Sequence, residues 1–458
     1  MSSSLQLKAL LALTLISVGS TAAATEPNIT VHQAQIDKIV SEISPARIQA
    51  TIAKLVGFGT RHTLSDTVSE TRGIGAARRW IKSELERCGA ASGGRLQVAF
   101  DTFTQPAGPR LTQPAELMNV VATLPGTQAE SRERMYVVSG HYDSRNSDPM
   151  DAKGLSPGAN DDASGTAAVM EMACVMARYS FDATLVFMTV AGEEQGLYGS
   201  THWAEMAKQK NLQIGGMFTN DIIGSSRNDQ GKIDNTQVRL FAEGIPNLKD
   251  MPDYLRVLLA TGGENDSLPR QLARHVKEIG ERYVPNFKVN VIQRHDRYLR
   301  GGDHKPFLER GYAALRFTEP NEDYNHQHQD IRKEGNLQYG DLLEFVDADY
   351  VAQVTRVNAA ALASLSLAPA APQKVQAKIV KLDNDTELVW QANTEPDLAG
   401  YRVVWRETTA AQWQGGVLVG KVTAYTVKNM SKDNYFFGVQ AVDVDGNTSV
   451  ASYPSPGR

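Results

Sequence analysis

Residues 184–191, Thr-Leu-Val-Phe-Met-Thr-Val-Ala, carry no charge and show no alternation of apolar and polar positions. A strand of this kind has no face to offer water, so it must sit inside a sheet covered on both sides. The neighbouring segments supply the covers. Ile74, Ala77, Trp80, Ile81 and Leu85 fall at helical spacing, which predicts a helix over 66–88 closed by Gly89. Ala167, Met170, Ala173, Cys174 and Ala177 share one face of a predicted helix over 163–179. Further helices are expected over 201–210, 268–283 and 337–365, and strands over 117–124, 135–139, 216–219, 287–292 and 313–317. This alternation predicts an α/β fold, with a mostly parallel twisted sheet flanked by helices. Such sheets gather ligands at the carboxyl ends of their strands.

The texture changes after residue 366. A Pro/Ala linker over 367–373 precedes a segment, 374–458, in which helical patterns vanish. Strands are expected over 375–380, 387–391, 401–406, 417–427 and 435–443, separated by Pro, Asn, Asp and Gly. Closely spaced short strands suggest a small all-β sandwich. Trp390, Tyr401 and the run from Tyr435 to Asp443 resemble a fibronectin type III module. At the other end, Lys8, the apolar run 9–18 and Ala22-Ala23-Ala24 read as a signal peptide over 1–24, which predicts a secreted or periplasmic protein. The main α/β domain then spans 25–366. No later segment is long and apolar enough for a membrane span. The net charge of −5 over 458 residues gives no reason to expect nucleic-acid binding. Cys88 and Cys174 lack the spacing of a cysteine metal site, and their pairing stays open at this level.

Polar residues collect where the apolar runs end. His141 and Asp143 close the run beginning at Tyr136, and residues two apart on an extended chain point the same way. One can ligate a metal while the other orients it. Asp161 lies in Gly-Ala-Asn-Asp-Asp-Ala-Ser-Gly, ahead of a helix. A helix cap accounts for one acid there, not for the cluster. Glu193 and Glu194 follow the buried strand, where one carboxylate can bind metal while the other acts as a base. Asp221 ends another short apolar run, and His326 and His328 sit in a polar stretch. Imidazoles mixed with carboxylates suit zinc. Asp161, Glu194 and Asp221 bring three negative charges, and two Zn²⁺ with a shared hydroxide bring a balancing three positive.

These motifs, with Gly302-Asp303-His304 and a late His-x-x-x-Asp, resemble the M28 family of zinc metallopeptidases over roughly 48–365. The resemblance implies two zinc ions bridged by Asp161. His141 and Glu194 would complete one set, and Asp221 and His326 the other. His326 is preferred to His328 because it stands four residues before Asp330. Glu193 would be the general base, Asp143 would buttress His141, and Tyr298 would contact the substrate carbonyl. The implied activity is a secreted aminopeptidase acting on peptides or proteins. A carboxypeptidase, dipeptidase or glutaminyl cyclase on the same scaffold is the alternative, and a non-catalytic binding ectodomain a distant one. The C-terminal sandwich would either dock the enzyme to surfaces or polymers, or stabilise it.

Overall fold

A computed structural model describes residues 33–457, apart from 229–230, 232, 243–252 and 382. The signal peptide expected over 1–24 lies outside the described residues. The larger part is an eight-stranded sheet. Its strands are β1 (Gln97–Gln105), β2 (Ala115–Leu124), β3 (Arg134–His141), β4 (Thr184–Val190), β5 (Gln213–Asn220), β6 (Gln237–Ala242), β7 (Lys288–Ile292) and β8 (Ala314–Thr318). They lie in the order β1-β2-β4-β3-β5-β8-β6-β7. The centre, β4-β3-β5-β8, is parallel throughout, as is the β6–β7 pair. The β1–β2, β2–β4 and β6–β8 pairs are antiparallel, so the sheet is mixed. The uncharged segment 184–191 supplies β4, buried along its whole length.

Its alternate residues feed two cores, as the period of a strand requires. Leu185 and Phe187 pack into the larger core. That core is built with helices α1 (Ala34–Glu42), α2 (Pro45–Val56), α3 (Gly73–Ala91) and α4 (Ala163–Met176). Val186, Met188 and Val190 face the opposite way, towards Trp203, Ala204 and Phe307. A short turn of helix, α5 (Glu193–Gly196), is followed by α6 (Tyr198–Gln209), α7 (Asp253–Ala260), α8 (Leu268–Tyr283), α9 (Lys305–Glu309) and α10 (Ala348–Leu367). Helices α6 and α9 cover the second face, and α8 and α10 join the first. All of α4 except Cys174 is buried, and its sulfur pairs with Cys88 of α3 in a disulfide.

Several predicted boundaries move. The helix expected over 66–88 begins at Gly73, because the Asp66 carboxylate turns the preceding chain by accepting from the amides of Val68 and Ser69. It also runs past Gly89. Residues 337–365 are not one helix: β9 (Arg332–Glu334) and β10 (Leu337–Tyr339) form a hairpin. The helix starts only at Ala348, where Asp347 caps it by accepting from the Tyr350 amide at 2.9 Å. Strand β1 and strand β6 had no counterpart in the sequence reading.

The C-terminal segment holds seven strands: β11 (Gln373–Lys378), β12 (Thr386–Gln391), β13 (Leu398–Glu407), β14 (Gly415–Gly420), β15 (Ala424–Val427), β16 (Tyr435–Asp443) and β17 (Ser455–Gly457). The run expected over 417–427 splits between two sheets, β15-β12-β11-β17 and β14-β13-β16. They share a core around Trp390, Tyr401 and Phe437. The sandwich is fastened to the α/β part by buried charge. Asp266 accepts from Arg274 of α8 and from Arg406 of β13, each at 2.8 Å.

Candidate metal centre and cleft

The parallel strands β3, β4 and β5 end side by side, and each delivers a functional side chain just beyond its last hydrogen bonds. His141 ends β3, Glu193 and Glu194 follow β4, and Asp221 follows β5. Asp161 arrives from the turn ahead of α4. That turn is brought close by Gly140 and Gly165, whose backbones touch. A Cβ on Gly140 would lie 2.5 Å from the Gly165 carbonyl carbon, and one on Gly165 would lie 2.2 Å from the Asn220 carbonyl oxygen. Asp162 locks the junction. It accepts from the Gly165 amide at 2.9 Å and from the His141 amide at 3.0 Å.

Two groups of donors result. In one, His141, Asp221 and Glu193 place an atom each within 4.8 Å of one another. In the other, Asp161, Glu194 and His328 do the same. Asp161 joins the two: its Oδ1 lies 3.1 Å from His141 Nε2 and its Oδ2 lies 2.7 Å from His328 Nε2. His328 Nε2 is also 3.2 Å from Glu194 Oε1.

This arrangement changes the expected ligand sets. His141 groups with Asp221, not with Glu194. His326 lies outside both groups. Its ring stacks on Phe345 at 3.6 Å and its Nδ1 pairs with Asp323 at 3.1 Å, so it faces a separate cavity. His328, with a left-handed backbone (φ 54°), turns its ring onto Asp161 and Glu194, whereas His326 was expected beside Asp221. Tyr298 also departs from expectation. It is 76% exposed, with its ring under Arg294, and it does not line the cleft. Tyr198, at the start of α6, does line it.

Asp143 lies beside His141, with its backbone carbonyl 3.2 Å from the ring Nδ1. Its carboxylate lies 3.6 Å from His141 Nδ1 and accepts from Thr63 and from the amides of Glu193 and Glu194. One acid thus steadies both the β3 and the β4 ends. Arg61, Arg145 and Asp341 also hold the site, and sequence reasoning missed all three. Buried Arg61 clasps the site loops through the carbonyls of Tyr142, Pro157 and Gly158. Asp341 accepts from the amides of Asn160 and Asp161 at 2.8 Å each. Arg145 donates to Glu194 Oε2 at 2.8 Å and places Nη2 2.6 Å from His328 Nδ1. None lies in a motif, and an arginine that binds carbonyls from separate loops leaves no local pattern.

The electrostatics of the cluster are those of too many acids in one dry place. Burial pushes the Glu193 carboxyl well above its ordinary value, and Asp221 and Glu194 add to the push while His141 opposes it. Burial likewise raises Asp221, against the pull of Arg316. Asp161 goes the other way: burial would raise it, yet His328 and His141 hold it well below the usual carboxylate range. Burial works against a charged His141, but Glu193, Asp143 and Asp161 outweigh it and raise its pKa well above normal. The Nε2 atoms of both histidines and Oε1 of Glu194 are buried without a hydrogen-bond partner. Unsatisfied nitrogen and carboxylate donors that converge in this way fit divalent cations.

Glu193 differs from the other acids in access. Its side chain is 13% exposed, against 4–5% for Glu194, Asp221 and Asp161. It faces a cleft of about 790 Å³ that also exposes Asp161, Asp221 and His328. A sheet with paired donor clusters at its carboxyl edge, and a carboxylate facing the cleft beside them, is the arrangement of a metal-dependent hydrolase. Residues 119–347 match the model of peptidase family M28. The chain belongs to that family. It is 48% identical over 423 residues to a probable zinc metalloprotease of Leptosphaeria maculans, covering 92% of this chain and 97% of that one. A probable zinc metalloprotease of Pyrenophora tritici-repentis is 47% identical over 92% of this chain and 87% of its own length. Among solved structures, the LapA aminopeptidase of Legionella pneumophila shares the fold, with a TM-score of 0.52 at 19% identity over 73% of this chain and 75% of that one.

Proposed function

We propose that this protein is an exported two-zinc aminopeptidase. The observation that carries the reading is the Asp161 carboxylate, which sends one oxygen to each donor cluster. His141 and Asp221 would hold one ion, Glu194 and His328 the other. When bound, such a pair supplies Lewis acidity and lowers the pKa of water. The zinc metalloprotease names of the two relatives support the choice of metal.

The protein's own groups perform the rest. Asp143 fixes the ring of His141 and the two amides after β4. Glu193, facing the cleft, takes a proton from the attacking water and returns it to the leaving amine. Metal loading would pull its raised pKa down, because nearby cations stabilise its ionised form. The excess of carboxylates offers a free substrate amino terminus a charge partner that an acetylated terminus lacks. Export is supported by the Cys88–Cys174 disulfide, a bond that persists in oxidising compartments. The fibronectin-like reading of the C-terminal sandwich is supported by its seven strands in two sheets.

The test compares peptides with free and acetylated amino termini on zinc-loaded protein. Cleavage of only the free form is expected. Equal cleavage of both would remove the aminopeptidase reading. Cyclisation of an N-terminal glutamine without peptide hydrolysis would replace it with the cyclase alternative.

A further inference from the structure

One wall of the cleft, beside the metal cluster, carries an unbalanced set of arginines. Glu322 is buried, and its one carboxylate receives three guanidiniums. Arg239 reaches Oε1 at 3.0 Å, and Arg297 and Arg300 both reach Oε2 at 2.9 Å. The neighbouring Asp296 is shared as well, between Arg297 at 3.2 Å and Arg316 at 3.1 Å. Four guanidiniums therefore face two carboxylates, since the other partner of Arg316, Asp221, belongs to the metal cluster. Arg297 and Arg300 line the cleft. Arg110 also lines it, gives Nη1 to the Glu194 carbonyl at 2.9 Å, and has no carboxylate partner among the described residues. Guanidiniums crowded on one acceptor repel each other, and an arriving anion relieves that repulsion while accepting their free N–H groups.

We propose that this wall, centred on Arg300, receives a carboxylate of the substrate, so that the enzyme prefers peptides with an acidic group close to the scissile bond. The proposal rests on the peptidase reading and names its substrate class. The carboxylate has two possible sources: an acidic side chain, or the C-terminal carboxylate of a very short peptide.

The experiment measures kcat/KM on two matched pairs: glutamyl- against glutaminyl-anilide, and a neutral dipeptide against its C-terminal amide. An acid-over-amide preference of about tenfold or more is expected in one pair, as a charge-assisted contact implies, and that pair identifies the source. Arg300→Gln should shrink the preferred ratio by about tenfold, and Arg300→Lys should retain part of it. Arg87→Gln, on an exposed helix face far from the cleft, should leave the ratio as it was. If Arg300→Gln does not fold, Arg300→Lys, which keeps the charge but not the forked geometry, carries the same comparison. Acid-to-amide ratios near one in the unaltered enzyme, or ratios unmoved by these changes, would overturn the proposal. Calorimetric binding of the same peptides to Glu193→Gln reads the site without turnover. A protein that cleaves none of them removes the peptidase reading, while its preference between acid and amide in binding still decides this one.

Discussion

At the residue scale the instructive pair is His326 and His328. The two differ by two positions in the same polar stretch, and spacing to Asp330 favoured His326, while the structure brings His328 into the donor cluster. What decides between them is tertiary. Phe345 and Asp323 claim the ring of His326, and the left-handed backbone at His328 aims the other ring at Asp161 and Glu194. His328→Ala should therefore lose about one of two bound zinc ions and at least ~100-fold in kcat. His326→Ala should keep both ions, and metal analysis of the two variants checks this. Asp143→Ala should keep the ligands but loosen them, with zinc affinity falling by about 10–100-fold in a competition titration. His141, Asp161, Glu194 and Asp221 were legible because each sits within a residue or three of the end of an apolar run or the start of a helix. Tyr298 and His326 were not, because both belong to irregular stretches where spacing says nothing about direction.

At the scale of elements, helices α4 and α8 carry the clearest consequences. Helix α4 leads out of the Asp161 turn, and the Cys88–Cys174 bond ties it to α3 across 86 residues of chain. Removing the bond by Cys88→Ala with Cys174→Ala should cost about 2–4 kcal/mol, read as a lower unfolding midpoint with the zinc site intact once folded. Helix α8 buries His275 against α10, where its Nε2 meets Ser364 at 3.2 Å. Burial lowers its pKa to about 3. The unfolded chain binds this proton below about pH 6.5 and the folded one only near 3, so its contribution is complete above 6.5 and fades as the pH falls through that window. By pH 4 the loss should approach about 3 kcal/mol. His275→Gln should flatten that part of the stability–pH curve, measured by denaturant unfolding. The α/β pattern itself was readable from the apolar strand 184–191 and its flanking helical periodicities. Strand β1 escaped because it is an edge strand with no buried residue, and β6 because it lies among the elaborations between β5 and α8.

Across the whole molecule, a buried ionic junction holds the sandwich to the α/β part. Asp266 sits between Arg274 and Arg406, and Trp413 lies against both guanidiniums. Arg406→Ala leaves a buried carboxylate with one partner fewer and should destabilise the protein by about 3–5 kcal/mol. A thermal scan showing no change would argue that the sandwich is a passive appendage. In the proposed mechanism two zinc ions would share Asp161 and Glu193 would move the proton. Metal analysis of the purified protein and of Glu193→Gln, both under saturating zinc, decides this. Close to two zinc ions per chain are expected in both proteins, with turnover abolished in the variant. Saturation at a single zinc, or near-normal turnover by Glu193→Gln, would contradict it.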